Sequence, residues 1–472
     1  MVFSSFEFMF RFLPAFLAVY FIAPDSWKNV CLFAGSLVFY FYGVKDTPLF
    51  LGLLGSSVLV NFRIGALIGR RRKSPVRKRW LICGVIYNLF WLGLFKYAGF
   101  LAWNLNLLLE KAGIAGAVPV YESVLPVGIS FYTFQSVSYL LDVYRRETAY
   151  EKSFVGFGMY ISMFPQLIAG PIVTYSSICR QIEGREHSFS KAERGLREFT
   201  IGLGLKVILA NRLGGLWNQV GAIGYESIST PLAWLGLAAF SLQIYFDFYG
   251  YSLMAKGLGL LMGFELPDNF RHPYMAVSMT EFWRRWHITL GSWFREYVYI
   301  PLGGNRGGSL RTLRNMFIVW FLTGFWHGAS WNFILWGLVL FVIIGAEKLG
   351  YIRILEERPI AGHIYMLFMI PLTWLLFAVT DFGRIGIYLQ RLFPFLAAPG
   401  RYSYYGGDFL KYGKLYGLSL AAGLIFMTDI PRKLYEKYRD TPATALLLLG
   451  VFWFCVYCMK IGLDDPFLYF RF

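Results

Sequence analysis

Apolar runs of membrane-spanning length follow one another along almost the whole chain, separated by short polar segments rich in Lys and Arg. A span needs about 20 apolar residues. The first candidates lie at about 6–24, 28–43 and 48–69. RRRKSPVRKR (Arg70–Arg79) holds no acid, which predicts a cytosolic segment and an N-terminus outside. The stretch 80–109 is interrupted by Lys96 and Tyr97 and predicts a long or broken helix, followed by an external loop at 110–123. Leu125–Glu147 returns to the cytosol at Arg145 and Arg146. FPQLIAGPIVTY (Phe164–Tyr175) breaks an apolar run with Pro165, Gly170 and Pro171, so it is a candidate re-entrant segment. Arg180–Arg197 reads as a soluble loop. Further apolar runs fall at about 198–220, 231–263, 333–346, 363–380, 412–429 and 443–463, with the basic Arg432–Arg439 among the loops. The pattern predicts an all-α polytopic protein of roughly eleven spans plus re-entrant pieces. With no internal repeat and no long linker, a single domain over 1–472 is expected.

Composition sharpens this picture. The chain is 57% hydrophobic and only 15% charged, against about 25% charged in soluble domains. Its first apolar segment lacks the order of a cleaved signal peptide. The formal charge of +17 would suggest nucleic acid in a soluble protein. Here the basic residues sit in short loops between spans, which is a topological signal and argues against nucleic acid. The same charge suits an acidic cytosolic partner, such as a phosphate-bearing acyl donor or an acidic carrier protein. Cys31, Cys83, Cys179, Cys455 and Cys458 form no disulfide framework, and Cys455 and Cys458 read as helix packing. No Cys/His cluster suggests a metal.

The candidate chemistry lies between Glu281 and Asn332. Ionisable side chains inside a membrane protein are costly and by default functional, and this stretch holds His287 and His327 among aromatic residues. In Phe282–Arg295, Trp283, Trp286 and Trp293 alternate with Arg284, Arg285 and Arg295. If helical, Trp283, Trp286 and His287 share a face and Arg284 points elsewhere. That describes an oblique helix with one face on a cavity; an interfacial amphipathic helix is the alternative. PLGGN (Pro301–Asn305) predicts a turn. In FIVWFLTGFWHGASWN (Phe317–Asn332), Gly324 and Gly328 beside His327 let another helix or a ligand approach closely. Desolvation favours a neutral imidazole at His327, and a neutral imidazole is a general base. The alternative is a histidine bonded across helices. His187 reads as solvated, His272 as structural at a turn, and His363 as interfacial. Asp247 is a lone acid in an apolar run, expected to pair with an arginine of the central element or to polarise a histidine.

The HExxH, GxSxG and Walker patterns are absent, as is HxxxxD at each of the five histidines. The chain does resemble the membrane-bound O-acyltransferases. FWRRWHITLGSWFREYVYIPLGGNR and FWHGASWN are similar to the bacterial alginate O-acetyltransferase branch. So are MVFSS, PVGISFYTFQSVSYLLDVYR, FPQLIAGPI, IYFDFYGYSLMAKGLGLLMGF and the terminal PFLYFRF. The resemblance implies a ring of helices around a thinned centre and a tunnel, with a catalytic core at about 125–335. It makes His327 the active-site histidine and His287 the second histidine, which orients the donor or stabilises the oxyanion. Trp283, Trp286, Arg284, Trp326, Asn332 and Asp247 become tunnel or donor-binding candidates. It implies no bound cofactor, with acetyl-CoA or an acyl-carrier phosphopantetheine thioester as the acyl donor. A secreted or anchored SGNH-type partner and a polysaccharide acceptor complete the scheme, in the plasma membrane of a bacterium. D-alanyl transfer to teichoic acid, a transporter or flippase, and a non-catalytic scaffold are the alternatives.

Overall fold

The computed structural model describes residues 2–70, 74–114, 118–120, 124–398, 400, 406–462 and 468. The expected external loop at 110–123, the basic segment Arg70–Arg79 and the terminal PFLYFRF motif therefore lie partly outside the described residues. The described residues are helical, with no strand among them. Seven helices are long and apolar enough to cross a membrane: Leu49–Arg70, Pro75–Lys111, Phe189–Ile223, Thr230–Leu261, Trp331–Glu357, Pro359–Ala378 and Pro442–Lys460. The protein is an all-α, multi-pass membrane protein. The expected spans near 6–24 and 28–43 form the helical segments Glu7–Ile22 and Lys28–Gly43, both shorter than the 18 residues required of those seven.

The chain parts into two compact units, one of residues 1–196 with 255–267, the other of residues 197–254 with 268–472. In the first, a π-helical turn at Gly93–Tyr97 falls where Lys96 and Tyr97 predict an interruption. Asn61 and Asn88 exchange amide hydrogen bonds of 3.1 and 2.7 Å, joining helices Leu49–Arg70 and Ser74–Leu92. Arg77 donates to the carbonyls of Val143 (3.0 Å) and Tyr144 (2.5 Å), a cation on the C-terminus of helix Ile129–Arg145. The break in FPQLIAGPIVTY is real: a short helix Phe164–Leu167 gives way to irregular backbone through Thr174. All but Thr174 of it is buried, so non-helical backbone there is surrounded by protein.

The expected soluble loop at Arg180–Arg197 is mostly helix, Tyr175–Glu183 and Phe189–Gly204, with only residues 184–188 between them irregular. Both helices are amphipathic. Tyr175, Ile178 and Ile182 are buried on one face, and the polar residues that suggested a loop cover the other.

In the second unit, helices Phe189–Gly204 and Thr230–Leu261 touch backbone to backbone where Gly202 meets Gly250. A Cβ on Gly202 would stand 2.5 Å from the Gly250 carbonyl oxygen. Helices Ser309–His327 and Trp331–Ala346 do the same at Gly324 and Gly337. A Cβ on Gly337 would stand 2.4 Å from the Trp320 carbonyl oxygen. The approach that Gly324 permits is thus that of another helix. The turn at Pro301–Asn305 forms as expected, with φ of 107° at Gly303 and 57° at Gly304.

Candidate active site

Phe282–Arg295 is not one helix. Helix Met279–Arg285 ends, Trp286 is extended (φ −101°, ψ 131°), His287 is left-handed (φ 44°, ψ 53°), and helix Ile288–Phe294 begins. The shared helical face expected of Trp283, Trp286 and His287 is therefore broken between the last two. The cause is Asn269, on the strap that precedes the first helix. Its carbonyl accepts the N–H of Ile288 (3.0 Å), and the Arg285 carbonyl accepts the N–H of Arg271 (3.0 Å). Its side-chain Oδ1 accepts from the Thr289 N–H (3.3 Å) and the Thr289 hydroxyl (2.9 Å), and lies 3.1 Å from His287 Nδ1. These bonds replace the helical ones that the break forgoes. A non-glycine residue in the left-handed region costs about 1–3 kcal/mol, and such strain clusters at functional sites.

His287 is buried, with the Phe248 ring edge-on at 4.7 Å. Its Nε2 is buried and has no hydrogen-bond partner among the described residues. The first helix is anchored at its N-terminus by Glu347, fully buried, whose carboxylate accepts the N–H groups of Met279 and Thr280 at 2.7 Å each. An anion there meets the positive end of the helix.

His327 is buried at the C-terminal residue of helix Ser309–His327. Gly328 must follow it, since a Cβ there would overlap the Phe333 ring at 2.3 Å. The imidazole stands edge-on to Trp336 (5.0 Å), Phe377 (5.3 Å) and Trp326 (4.9 Å). Trp326 also lies 6.4 Å from the His287 ring, so one indole borders both histidines.

Trp283 and Trp286 belong to the same aromatic cluster. Trp283 packs on Trp320 (5.1 Å) and Trp336 (5.5 Å), and Trp286 on Trp374 (4.9 Å) and Phe270 (5.1 Å). The Trp374 indole donates to the Tyr274 hydroxyl at 3.1 Å. The indole N–H groups of Trp283 and Trp336 have no partner among the described residues. Asn332, fully buried, donates to the Leu376 carbonyl at 3.1 Å and leaves its Oδ1 unpartnered. Buried polar atoms are nearly always hydrogen-bonded. Trp336, which carries one of these unmet donors, packs directly against His327.

Two candidates fall away from the histidines. Arg284 is exposed, as its helical position predicts. The Asp247 carboxylate pairs with Lys206 at 2.8 Å and accepts the Leu468 N–H at 2.6 Å. The expected ion-pair partner is an arginine of the central element; the pair seen here is with a lysine of another helical segment. Phe248, one residue on, faces His287, and consecutive helical side chains point about 100° apart. His187 is half-buried, edge-on to Tyr20 (5.6 Å) and Phe21 (6.1 Å), rather than solvated. Asn269 and Glu347 were not singled out by the sequence. Each acts on backbone groups remote along the chain, so neither stands out from its sequence neighbours.

Both histidines lie within a segment, residues 145–356, that matches the model of the membrane-bound O-acyltransferase family. A probable alginate O-acetylase of Pseudomonas putida is 35% identical over 503 aligned positions that cover all of both chains. This chain belongs to the membrane-bound O-acyltransferase family. It is also 44% identical over 338 residues to a probable alginate O-acetylase of Azotobacter vinelandii, covering 71% of this chain and 66% of that one. It is 37% identical over 381 residues to a peptidoglycan O-acetyltransferase of Helicobacter pylori, covering 74% and 70%. The chain thus spans about two thirds of the Azotobacter relative's length and all of the P. putida one's.

Proposed function

We propose that this protein is an O-acyltransferase of a bacterial plasma membrane. It moves an acetyl group from a cytosolic thioester, acetyl-CoA or an acyl-carrier phosphopantetheine, towards a hydroxyl of an extracytoplasmic polysaccharide. The relatives support the class of reaction, since those cited are named for O-acetylation of alginate or peptidoglycan. His327 removes the proton of the attacking hydroxyl while that oxygen adds to the acyl carbon. Collapse expels the thiolate, which takes the proton back from the imidazolium. General base catalysis of this kind is worth about 10²–10⁴-fold. The acetyl reaches the polymer directly or through an SGNH-type partner, the N-terminus lies outside, and a passage joins the two faces of the membrane.

One observation carries the reading: a buried imidazole at a helix end packs on an indole whose N–H is unmet. The test is His327→Ala in cells that depend on this protein, with polymer-bound acetate measured by mass spectrometry. Acetylation is lost while membrane abundance and detergent behaviour are unchanged. Substantial residual acetylation overturns the assignment.

A further inference from the structure

We propose that Asn269 is a positioning residue that fixes the tautomer of His287, leaving Nε2 as a bare acceptor for a substrate N–H or O–H. This rests on the acyl-transfer reading above, but its first test needs no turnover.

The backbone N–H of Thr289 can only donate, so the Asn269 atom that it meets at 3.3 Å is the amide oxygen. The Thr289 hydroxyl donates to the same atom at 2.9 Å. An amide oxygen only accepts, so His287 Nδ1, 3.1 Å away, carries the hydrogen. The Asn269 amide nitrogen in turn faces Ser252 Oγ at 3.3 Å, which accepts. Burial against the Phe248 ring disfavours the imidazolium, and a neutral imidazole has one N–H. Nε2 is therefore a lone pair, buried, with no partner among the described residues. The backbone points the same way: the Ile288 N–H to Asn269 carbonyl bond holds His287 left-handed at φ 44°. One asparagine thus sets both where the ring sits and which nitrogen is bare.

The consequence concerns role. An oxyanion needs a donor, and the neutral ring offers none at Nε2. Of the two parts expected of His287, orienting a substrate survives and stabilising the oxyanion does not. The substrate atom is a pantetheine amide N–H or the acceptor hydroxyl.

The test uses the full-length protein in nanodiscs with ring-labelled ¹⁵N histidine. The signals that vanish in His287→Ala should show a pyrrole-type Nδ1 and a pyridine-type Nε2. Asn269→Leu should mix or reverse the two, and Asn269→Asp, which keeps an oxygen in place, should retain them. At matched membrane levels, Asn269→Leu should lower polymer acetylation about tenfold or more, the low end of what a misoriented or wrongly protonated imidazole costs. Asn269→Asp should recover most of it, and Asn269→Leu should add nothing in a His287→Ala background. Weaker binding of acetyl-CoA by Asn269→Leu supports the pantetheine contact; unchanged binding with lost transfer supports the hydroxyl. A pyridine-type Nδ1 in the wild type overturns the proposal, as does full acetylation by Asn269→Leu. If the wild type acetylates nothing, the acyl-transfer reading fails while the tautomer result stands.

Discussion

His287 and His272 share a backbone seldom seen outside glycine, with φ of 44° and 46°. They flank helix Met279–Arg285, which leads into the site, yet their surroundings differ. His287 lies among aromatic rings with one nitrogen held by Asn269. Removing its ring leaves no charge stranded, so His287→Ala should fold and reach the membrane while acyl transfer falls severely. A near-normal rate of polymer acetylation would reduce His287 to packing. His272 sits at a turn outside the spans. Burial, then the positive charges of Arg432 and Arg285, hold its imidazole below the ordinary histidine value, against the opposing pull of Asp429. A depressed pKa means that the unfolded chain binds the proton more readily. This contribution to stability is complete above about pH 6.5 and is lost as the pH falls through the folded value. Asparagine tolerates the left-handed backbone and does not titrate. His272→Asn should therefore show a smaller loss of melting temperature between pH 7 and pH 5 than the wild type, measured in detergent.

At the scale of elements, the geometry around His327 depends on two glycines. Gly337 lets helix Trp331–Ala346 lie against the backbone of helix Ser309–His327, and this contact brings Trp336 to His327. A methyl at 337 would meet a carbonyl oxygen at 2.4 Å and the Gly324 Cα at 3.1 Å, and neither can rotate away. Gly337→Ala should force the helices apart, at about 1–3 kcal/mol for overpacking, and lower both melting temperature and transfer. Gly417→Ala is the control, because a methyl there meets nothing within 4 Å. It should be neutral or slightly stabilising, since alanine is the better helix former. This contact was half legible in the sequence: a small residue one turn before a histidine signals close approach, though not which helix approaches. The interruption at Lys96 and Tyr97 and the break in FPQLIAGPIVTY were legible for a similar reason, since charge, proline and glycine act locally. The break at His287 was not. Nothing between Glu281 and Phe294 ends a helix, and the residue that does so, Asn269, lies 18 positions before His287. The amphipathic helices on either side of residues 184–188 were missed because their polarity outweighed their period.

At the scale of the whole molecule, a chain with so few charges uses its buried ones as fasteners. Lys206, in a π-helical turn, pairs with Asp247 on helix Thr230–Leu261 and also donates to Asn211 at 2.9 Å. The same carboxylate accepts the N–H of Leu468, so it draws three separated parts of the chain together. Both side chains of the pair are almost wholly buried, at 2% and 3% exposure, which decides the energetics. Removing one partner of such a pair strands the other charge and costs about 3–5 kcal/mol, whereas replacing both by apolar groups is often neutral. Lys206→Met should therefore lower the amount of folded protein recovered in detergent and its melting temperature. Adding Asp247→Leu should restore most of the loss, short of the bond to Leu468. If acyl transfer returns with the fold in the double variant, Asp247 is a fastener rather than part of the donor path. If the fold returns and transfer does not, the carboxylate has a role in the reaction that its ion pair conceals. Fluorescence-detected size exclusion after heating, with polymer acetylation measured on the same membranes, separates the two outcomes.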